Sequence, residues 1–119
     1  MALDPALAAE DYCYITTTGR VSGKPHTIEI WFGVRDSTLY ILAGGGEKSD
    51  TVQNARKAPE VSIRIRRKRF AGRARAVTRR AEDALARRLL LEKYGPRYSG
   101  DLDAWGREAL PLAFDLETG

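Results

Sequence analysis

The sequence is most distinctive at Thr16-Thr17-Thr18-Gly19-Arg20-Val21-Ser22-Gly23-Lys24-Pro25-His26, a run that joins two strand-like segments. A turn needs glycine, asparagine or proline for its backbone, but it does not need hydroxyls, an arginine, a lysine and a histidine as well. Hydroxyl groups, backbone N–H groups beside glycines and cationic side chains together form a concave site for an anion. We therefore interpret the run as a loop that binds a phosphate or a carboxylate. The alternative is a solvated basic hairpin.

Length and composition favour a small domain without a metal or disulfide framework. The 119 residues predict a single domain over residues 1–119. The 20 basic and 16 acidic residues give a net charge of +4, which suits an anionic small ligand and does not require nucleic acid. Cys13 and His26 are the only residues of their types, so no metal site is expected, and Cys13 is expected to be a small core residue.

The N-terminus and the hydropathy pattern predict where in the cell the protein is located. Residues 1–10 lack the basic and apolar regions of a secretory signal, and they are expected to form a short helix or arm. The longest apolar runs fall far short of the roughly 20 residues that span a bilayer, so membrane insertion is not expected. We expect the protein to be cytoplasmic.

Alternating and β-branched residues predict strands in the first third of the chain. The predicted strands cover residues 12–18, 26–34 and 39–43, with a tight turn at Asp36-Ser37. The second strand alternates apolar and polar residues along its whole length, which is typical of a half-buried strand. These three strands are expected to form an antiparallel meander.

The rest of the sequence alternates helices with strands. Helices are predicted over residues 47–57, 81–94 and 101–107, and strands over residues 61–66, 70–78 and 110–116. About six strands, with the helices inserted late, predict a mainly β domain with α-helices. Its architecture is expected to be a closed or split β-barrel with the helices packed outside.

A second glycine-rich segment, Gly44-Gly45-Gly46-Glu47-Lys48-Ser49, follows the apolar strand. Three glycines permit a ligand to approach the backbone closely. The helix start that follows supplies free N–H groups, and Lys48 supplies a cation. This segment and the loop of residues 16–26 flank the same pair of strands, so we expect both on one side of the barrel. The alternative is a flexible connection, and neither a Walker A pattern nor a dinucleotide-binding glycine pattern is present.

Aromatic residues are candidates for lining a pocket for a planar ligand. We assign Trp31 and Tyr14 to a substrate pocket, because the strand face of Trp31 also carries Glu29 rather than aliphatic residues. The alternative for each aromatic residue is core packing. His26 lacks the partners of a hydrolytic triad, and no catalytic residue is assigned.

A cluster of basic residues falls on the two strands after the first long helix. One interpretation is a surface for nucleic acid. We favour a solvent-exposed strand face, because Phe70 is the only aromatic residue there and base stacking needs more. The cluster comprises Arg64, Arg66, Arg67, Lys68, Arg69, Arg73 and Arg75.

The first loop resembles a motif of a known family. Residues 17–26 resemble the T-T-G-R-x-[ST]-G-x-P-R stretch of the deazaflavin (F420)-dependent nitroreductase family, within the split β-barrel flavin-binding superfamily of the pyridoxamine 5'-phosphate oxidases. Lys48, Asn54, Pro59 and Val61 are similar to a more generic K-x5-N-x4-P-x-V segment of that superfamily. The likeness covers roughly residues 12–65. Val21 stands where the family often has lysine, and His26 where it commonly has arginine.

The resemblance implies a six-stranded split barrel, often a homodimer, that holds coenzyme F420 or FMN. It implies an oxidoreductase that transfers hydride from reduced F420 to a small electrophilic acceptor such as a quinone, an enone or a nitro compound. The alternatives are an FMN-binding oxidoreductase of the same fold and a non-catalytic protein that binds a cofactor or a fatty acid. The implied cofactor-binding residues are Arg20, Ser22, Gly23, Lys24, Pro25, His26, Gly44, Gly45, Lys48 and Ser49.

Overall fold

The computed structural model describes residues 3–98, 100 and 102–117. Within these residues, seven strands form one sheet: β1 (Cys13–Thr18), β2 (Pro25–Ile30), β3 (Gly33–Arg35), β4 (Thr38–Ala43), β5 (Glu60–Ile65), β6 (Lys68–Ala76) and β7 (Leu110–Leu116). The α-helices are α1 (Pro5–Ala8), α2 (Asp50–Lys57), α3 (Arg80–Tyr94) and α4 (Asp103–Glu108). Short 3-10 helices cover Gly46–Lys48 and Gly95–Arg97.

The sheet curls because of the way its two edges are connected. Its strand order is β2-β1-β5-β6-β7-β4-β3, and neighbouring strands are antiparallel. The edge strands β2 and β3 are separated in the chain only by Trp31 and Phe32. Three peptide steps span at most about 11 Å, so the two edges must approach each other at this point. The result is a curled half-barrel, which confirms the predicted mainly β fold with α-helices.

The predicted strand over residues 26–34 is wrong, because it consists of two strands on opposite edges of the sheet. The predicted meander is therefore wrong as well, and the strands number seven within the described residues rather than about six. Phe32 points into the barrel core, whereas Trp31 packs against the helices outside. Because the inside-outside alternation continues through the break, the hydrophobic pattern alone does not reveal it.

Apolar side chains fill the inside of the half-barrel. Phe32, Ile15, Ile41 and Phe114 are among the largest side chains with no solvent exposure, and α2 packs Val52 against the same core. Burial of each such side chain contributes about 1.5–3 kcal/mol to folding.

Cys13 belongs to this inner core and has no solvent exposure. Burial raises the pKa of its thiol to about 12, so the thiolate that a nucleophile needs is not formed near neutral pH. The prediction that Cys13 is a small core residue is confirmed.

Helices α3 and α4 cover the outer face of β4 and β7. Leu90 and Ala86 of α3 are buried there against Tyr40 and Ala113, and Leu89 packs beside them. The predicted helix over residues 81–94 is confirmed to within one residue. The last helix begins at Asp103, and the earlier start predicted at Asp101 lies outside the described residues.

An ion-pair network ties α3 to the sheet. Arg75 of β6 pairs with Glu82 of α3 and with Asp115 of β7, at 2.6 Å in each case. The Tyr40 hydroxyl donates a hydrogen bond to Glu82 Oε2 at 2.5 Å. The hydrogen bonds from Arg75 and Tyr40 lower the pKa of Glu82 to about 2.

Replacing Glu82→Gln should lower the free energy of unfolding at neutral pH by about 2 kcal/mol, because it removes a charged hydrogen-bond acceptor. The depressed pKa means that the contribution of Glu82 is present above its ordinary value of 4.5 and is lost as pH falls toward about 2. Urea denaturation between about pH 5 and pH 2 should therefore show a steeper loss of stability for the wild type than for the variant. Glu92→Gln, at an exposed ion pair with Arg88, is the control. Parallel pH profiles for the wild type and Glu82→Gln would contradict the assignment.

Candidate functional site

The loop of residues 19–24, between β1 and β2, is closed by its own hydrogen bonds. The Gly19 N–H donates to the Lys24 carbonyl at 2.8 Å, and the Gly23 N–H donates to the Gly19 carbonyl at 2.9 Å. Ser22 Oγ accepts from the Lys24 N–H at 3.1 Å. Gly23 has a φ of 73°, and a Cβ at Gly19 would lie only 3.1 Å from the Lys24 carbonyl oxygen. The turn therefore requires glycine at both positions.

Asn54 of α2 fixes this loop to the helix. Its side chain is buried, and its Oδ1 accepts from the Arg20 N–H at 3.1 Å and from Arg20 Nη1 at 2.8 Å. Asn54 Nδ2 donates to Thr17 Oγ1 at 3.3 Å. Lys57 Nζ donates to the Arg20 carbonyl at 2.9 Å. The backbone of Arg20 is thus held at both its donor and its acceptor.

The glycine-rich segment of residues 44–49 lies at the same end of the half-barrel as the loop. Ser49 caps α2, because its hydroxyl accepts from the Val52 N–H at 3.4 Å. Arg20 Nη2 donates to Asp50 Oδ1 at 3.0 Å, which joins the first loop to the start of α2. The structure therefore places the two segments at one end of the half-barrel, as predicted from the strands that they flank.

Uncommitted cations remain at this end. Lys24, Lys48 and His26 are exposed, and no hydrogen bond or ion pair joins their side-chain nitrogens to another residue in the described ranges. Val21 is 94% exposed and adds no charge. Cations beside a glycine-rich backbone and a helix start are suited to bind an anion.

Trp31 lies at the other end of β2. Its ring stacks on Tyr94 with centroids 4.2 Å apart, and it meets the edges of Tyr98 and Trp105 at 5.7 Å. The six residues of β2 separate Trp31 from the loop, which at 3.3 Å per residue corresponds to about 20 Å. The structure therefore does not bring Trp31 into contact with the loop.

Tyr14 lies on the outer face of β1, near the same end as Trp31. Its hydroxyl donates to Glu29 Oε2 at 2.5 Å, and the Arg64 guanidinium lies 4.2 Å from its ring centroid. The bond to Glu29 raises the pKa of the Tyr14 hydroxyl. A surface cavity of about 580 Å³ lies beside it, lined by Ala9, Glu10, Asp11, Tyr12, Arg64, Arg66 and Arg97.

Sequence reasoning missed the polar anchors behind Trp31. Lys93 Nζ donates to the carbonyls of Ala8 and Phe32, at 2.9 Å each, and burial lowers the pKa of Lys93 to about 8. The Tyr94 hydroxyl accepts from the Phe32 N–H at 3.0 Å and donates to the Asp11 carbonyl at 2.8 Å. These bonds fix the break between β2 and β3. They involve single residues at the end of a helix, which no periodic pattern marks.

Several residues of the basic cluster are engaged in ion pairs on the sheet surface. Arg66 pairs with Glu10 at 2.9 Å and Arg73 pairs with Glu60 at 2.7 Å, while Arg75 belongs to the network with α3. The pairing favours the interpretation of this cluster as a solvent-exposed strand face.

The curled seven-stranded sheet, with helices packed against its outer face, defines a split-barrel domain. Over residues 5–114, the sequence matches the F420H(2)-dependent quinone reductase family, and the chain belongs to that family. It is therefore an oxidoreductase whose cofactor is coenzyme F420. The resemblance to deazaflavin-dependent reductases is confirmed.

Solved structures share this fold. An F420-H2 dependent reductase is 21% identical, with 98% of each chain covered and a TM-score of 0.69. A FAD-binding protein from Mesorhizobium loti is 15% identical, with 96% of this chain and 86% of the other covered and a TM-score of 0.68. A domain-swapped dimer is 21% identical, with 91% and 81% covered and a TM-score of 0.69. Identities this low establish the fold alone. Among curated proteins, none matches this chain.

The residues at the loop fit the anionic tail of F420. At the loop end, Lys24, Lys48 and His26 have no side-chain partner among the residues that the structure describes. A Cβ at Gly44 would meet nothing within 4 Å, which leaves open space beside the backbone. None of the helices in the described ranges has the length and apolarity that crossing a bilayer requires.

Replacing Asn54→Ala should destabilise the protein by about 2 kcal/mol, because it leaves the Arg20 N–H and the Thr17 hydroxyl without their buried partner. Chemical denaturation at neutral pH measures this loss. Gln53→Ala is the control, since the Gln53 side chain bonds the Glu47 carbonyl at an exposed position. Equal effects of the two substitutions would show that Asn54 does not anchor the loop.

Proposed function

We propose that the protein transfers hydride from reduced F420 to a small electrophilic acceptor: a quinone, an enone or a nitro compound. The observation that carries this proposal is the loop held by Asn54, with Lys24 and Lys48 uncommitted beside it, in a chain of the F420H(2)-dependent quinone reductase family. When bound, reduced F420 supplies the hydride, and the protein supplies binding, orientation and charge.

The cofactor-binding roles are divided within the loop end. Lys24, Lys48 and His26 would bind the anionic groups of the tail. Gly44 and Gly45 would allow the cofactor to approach the backbone closely. Five further residues would shape or line the site: Arg20, Ser22, Gly23 and Pro25 at the first loop, and Ser49 at the N-cap of α2.

Trp31 and Tyr14 are the proposed acceptor residues. Because Trp31 lies about 20 Å from the loop, this assignment requires the cofactor to extend toward it along β1 and β2. Small side chains on the outer face between the two ends support such an arrangement. Thr16 and Thr27 face each other there across β1 and β2, and their hydroxyls lie 2.7 Å apart.

We also propose that the protein works as a cytoplasmic homodimer. The domain-swapped dimer among the structural neighbours supports the dimer. The buried single cysteine is compatible with a reducing compartment. Light scattering in solution should give twice the 13.2 kDa mass of one chain.

Titration with F420 and with FMN, followed by cofactor or tryptophan fluorescence, tests the proposed cofactor preference. F420 should bind at least tenfold more tightly, a difference of about 1.4 kcal/mol, because its longer anionic tail can engage more of the uncommitted cations than one phosphate can. Comparable FMN affinity would move the protein to the flavin-dependent branch. Absence of binding by either cofactor at high micromolar concentration would contradict the proposed redox function.

Replacing Trp31→Phe tests the acceptor site. The variant keeps an aromatic ring beside Tyr94, and we expect KM for a quinone acceptor to rise by about threefold to tenfold with F420 affinity unchanged. Trp105→Phe, which alters the same aromatic cluster from α4, serves as the control and should have a smaller effect. An unchanged KM in Trp31→Phe, or equal changes of KM in both variants, would contradict the assignment of Trp31 to the acceptor site.

A further inference from the structure

We propose that Asp50 is a built-in counter-ion that occupies Arg20 and weakens the binding of anionic tails at the loop. Removal of its charge should therefore strengthen binding. The proposal deepens the function proposed above and rests on it, because it concerns the same loop and the same cofactor tail.

The two terminal nitrogens of the Arg20 guanidinium, Nη1 and Nη2, have different partners. Nη1 binds the buried Asn54 amide at 2.8 Å, in a contact that also holds the loop backbone. Nη2 binds Asp50 Oδ1 at 3.0 Å, and the Asp50 side chain is 66% exposed. The first contact is structural, whereas the second lies at the surface where a ligand would arrive.

Asp50 presents the same chemistry as the ligand that it would exclude. A carboxylate and a phosphate are both anionic acceptors that pair with guanidinium nitrogens. Asp50 is also the first residue of α2, where the positive end of the helix dipole favours a negative charge. An incoming anion must therefore displace Asp50 from Arg20 Nη2 or bind beside its charge, and both lower the affinity.

This arrangement favours ligands that carry several negative charges. Lys24 and Lys48 have no partner within the described ranges, so an extended anionic tail can engage them while it competes with Asp50 for Arg20. A ligand with a single anionic group has fewer contacts to offset the displacement. Asp50 is thus a residue that sets specificity, and it does not need to touch the reacting atoms.

The decisive experiment compares wild type and Asp50→Asn in fluorescence titrations with F420 and with the same deazaflavin lacking its phosphate tail. Asparagine keeps an acceptor for Arg20 Nη2 and removes only the charge. We expect F420 to bind about threefold to tenfold more tightly to the variant, with tail-free affinity unchanged. The gain should shrink at high salt, because screening weakens interactions between exposed charges.

Glu47→Gln is the matched control. It removes one negative charge from the same segment, but Glu47 pairs with Arg56 rather than with Arg20. A change of less than about twofold in this variant would locate the effect at Arg20 rather than in the overall charge. Equal gains in the two variants, or no gain in Asp50→Asn, would overturn the proposal.

A wild type that fails to bind F420 would contradict the proposed function, and a second probe then decides the role of Asp50. Thermal unfolding of both proteins with inorganic pyrophosphate measures anion binding at the loop without the cofactor. A larger upward shift in Tm for Asp50→Asn than for the wild type and Glu47→Gln would support the counter-ion role. Equal shifts in all three proteins would overturn it.

Discussion

The buried amide of Asn54 is the interaction on which the loop end of the molecule depends. Its oxygen binds both the backbone and the guanidinium of Arg20, and its nitrogen binds the Thr17 hydroxyl at the end of β1. Buried polar groups must be paired, so this amide sets the position of α2 relative to β1. Val52 anchors α2 in the inner core, and Asn54 of the same helix binds the loop. The loop is therefore held to the barrel core through α2. The loop backbone is thereby held in place beside the exposed cations Lys24 and Lys48, as a binding site requires.

The opposite end of the half-barrel has its own constraint at Trp31 and Phe32. These two residues carry the chain between opposite edges of the sheet, and Lys93 and Tyr94 bind the backbone of Phe32 at the break. The half-barrel therefore has two fixed ends, separated by the length of β2. One end offers uncommitted cations, and the other offers stacked aromatic rings. A cationic end and an aromatic end suit a cofactor with an anionic tail and a planar redox ring.

Periodicity predicted the element types well because most strands are buried on one face. The predicted strand over residues 61–66 and the predicted helix over residues 81–94 lie within one residue of β5 and α3. The predicted strand over residues 26–34 is wrong, because the alternation of Ile28, Ile30, Phe32 and Val34 continues through the break. Only tertiary pairing separates β2 from β3. At the site, the residue types predict an anion-binding loop, and Asn54 belongs to the separate, more generic superfamily segment that begins at Lys48. The ion pair of Arg20 with Asp50 depends on folding, because the two residues are 30 positions apart, so no local pattern indicates that the arginine already has a partner.

We propose that the cations beside the loop, rather than the basic cluster on β5 and β6, bind the tail of F420. Two charge-matched double variants test it by F420 titration: Lys24→Ala with Lys48→Ala, and Arg67→Ala with Lys68→Ala at the far end of the sheet. We predict that the first variant binds F420 at least tenfold more weakly and that the second stays within about twofold of the wild type, since exposed charges beyond about 10 Å are screened. Equal losses in the two variants, or a loss confined to the second, would contradict the account.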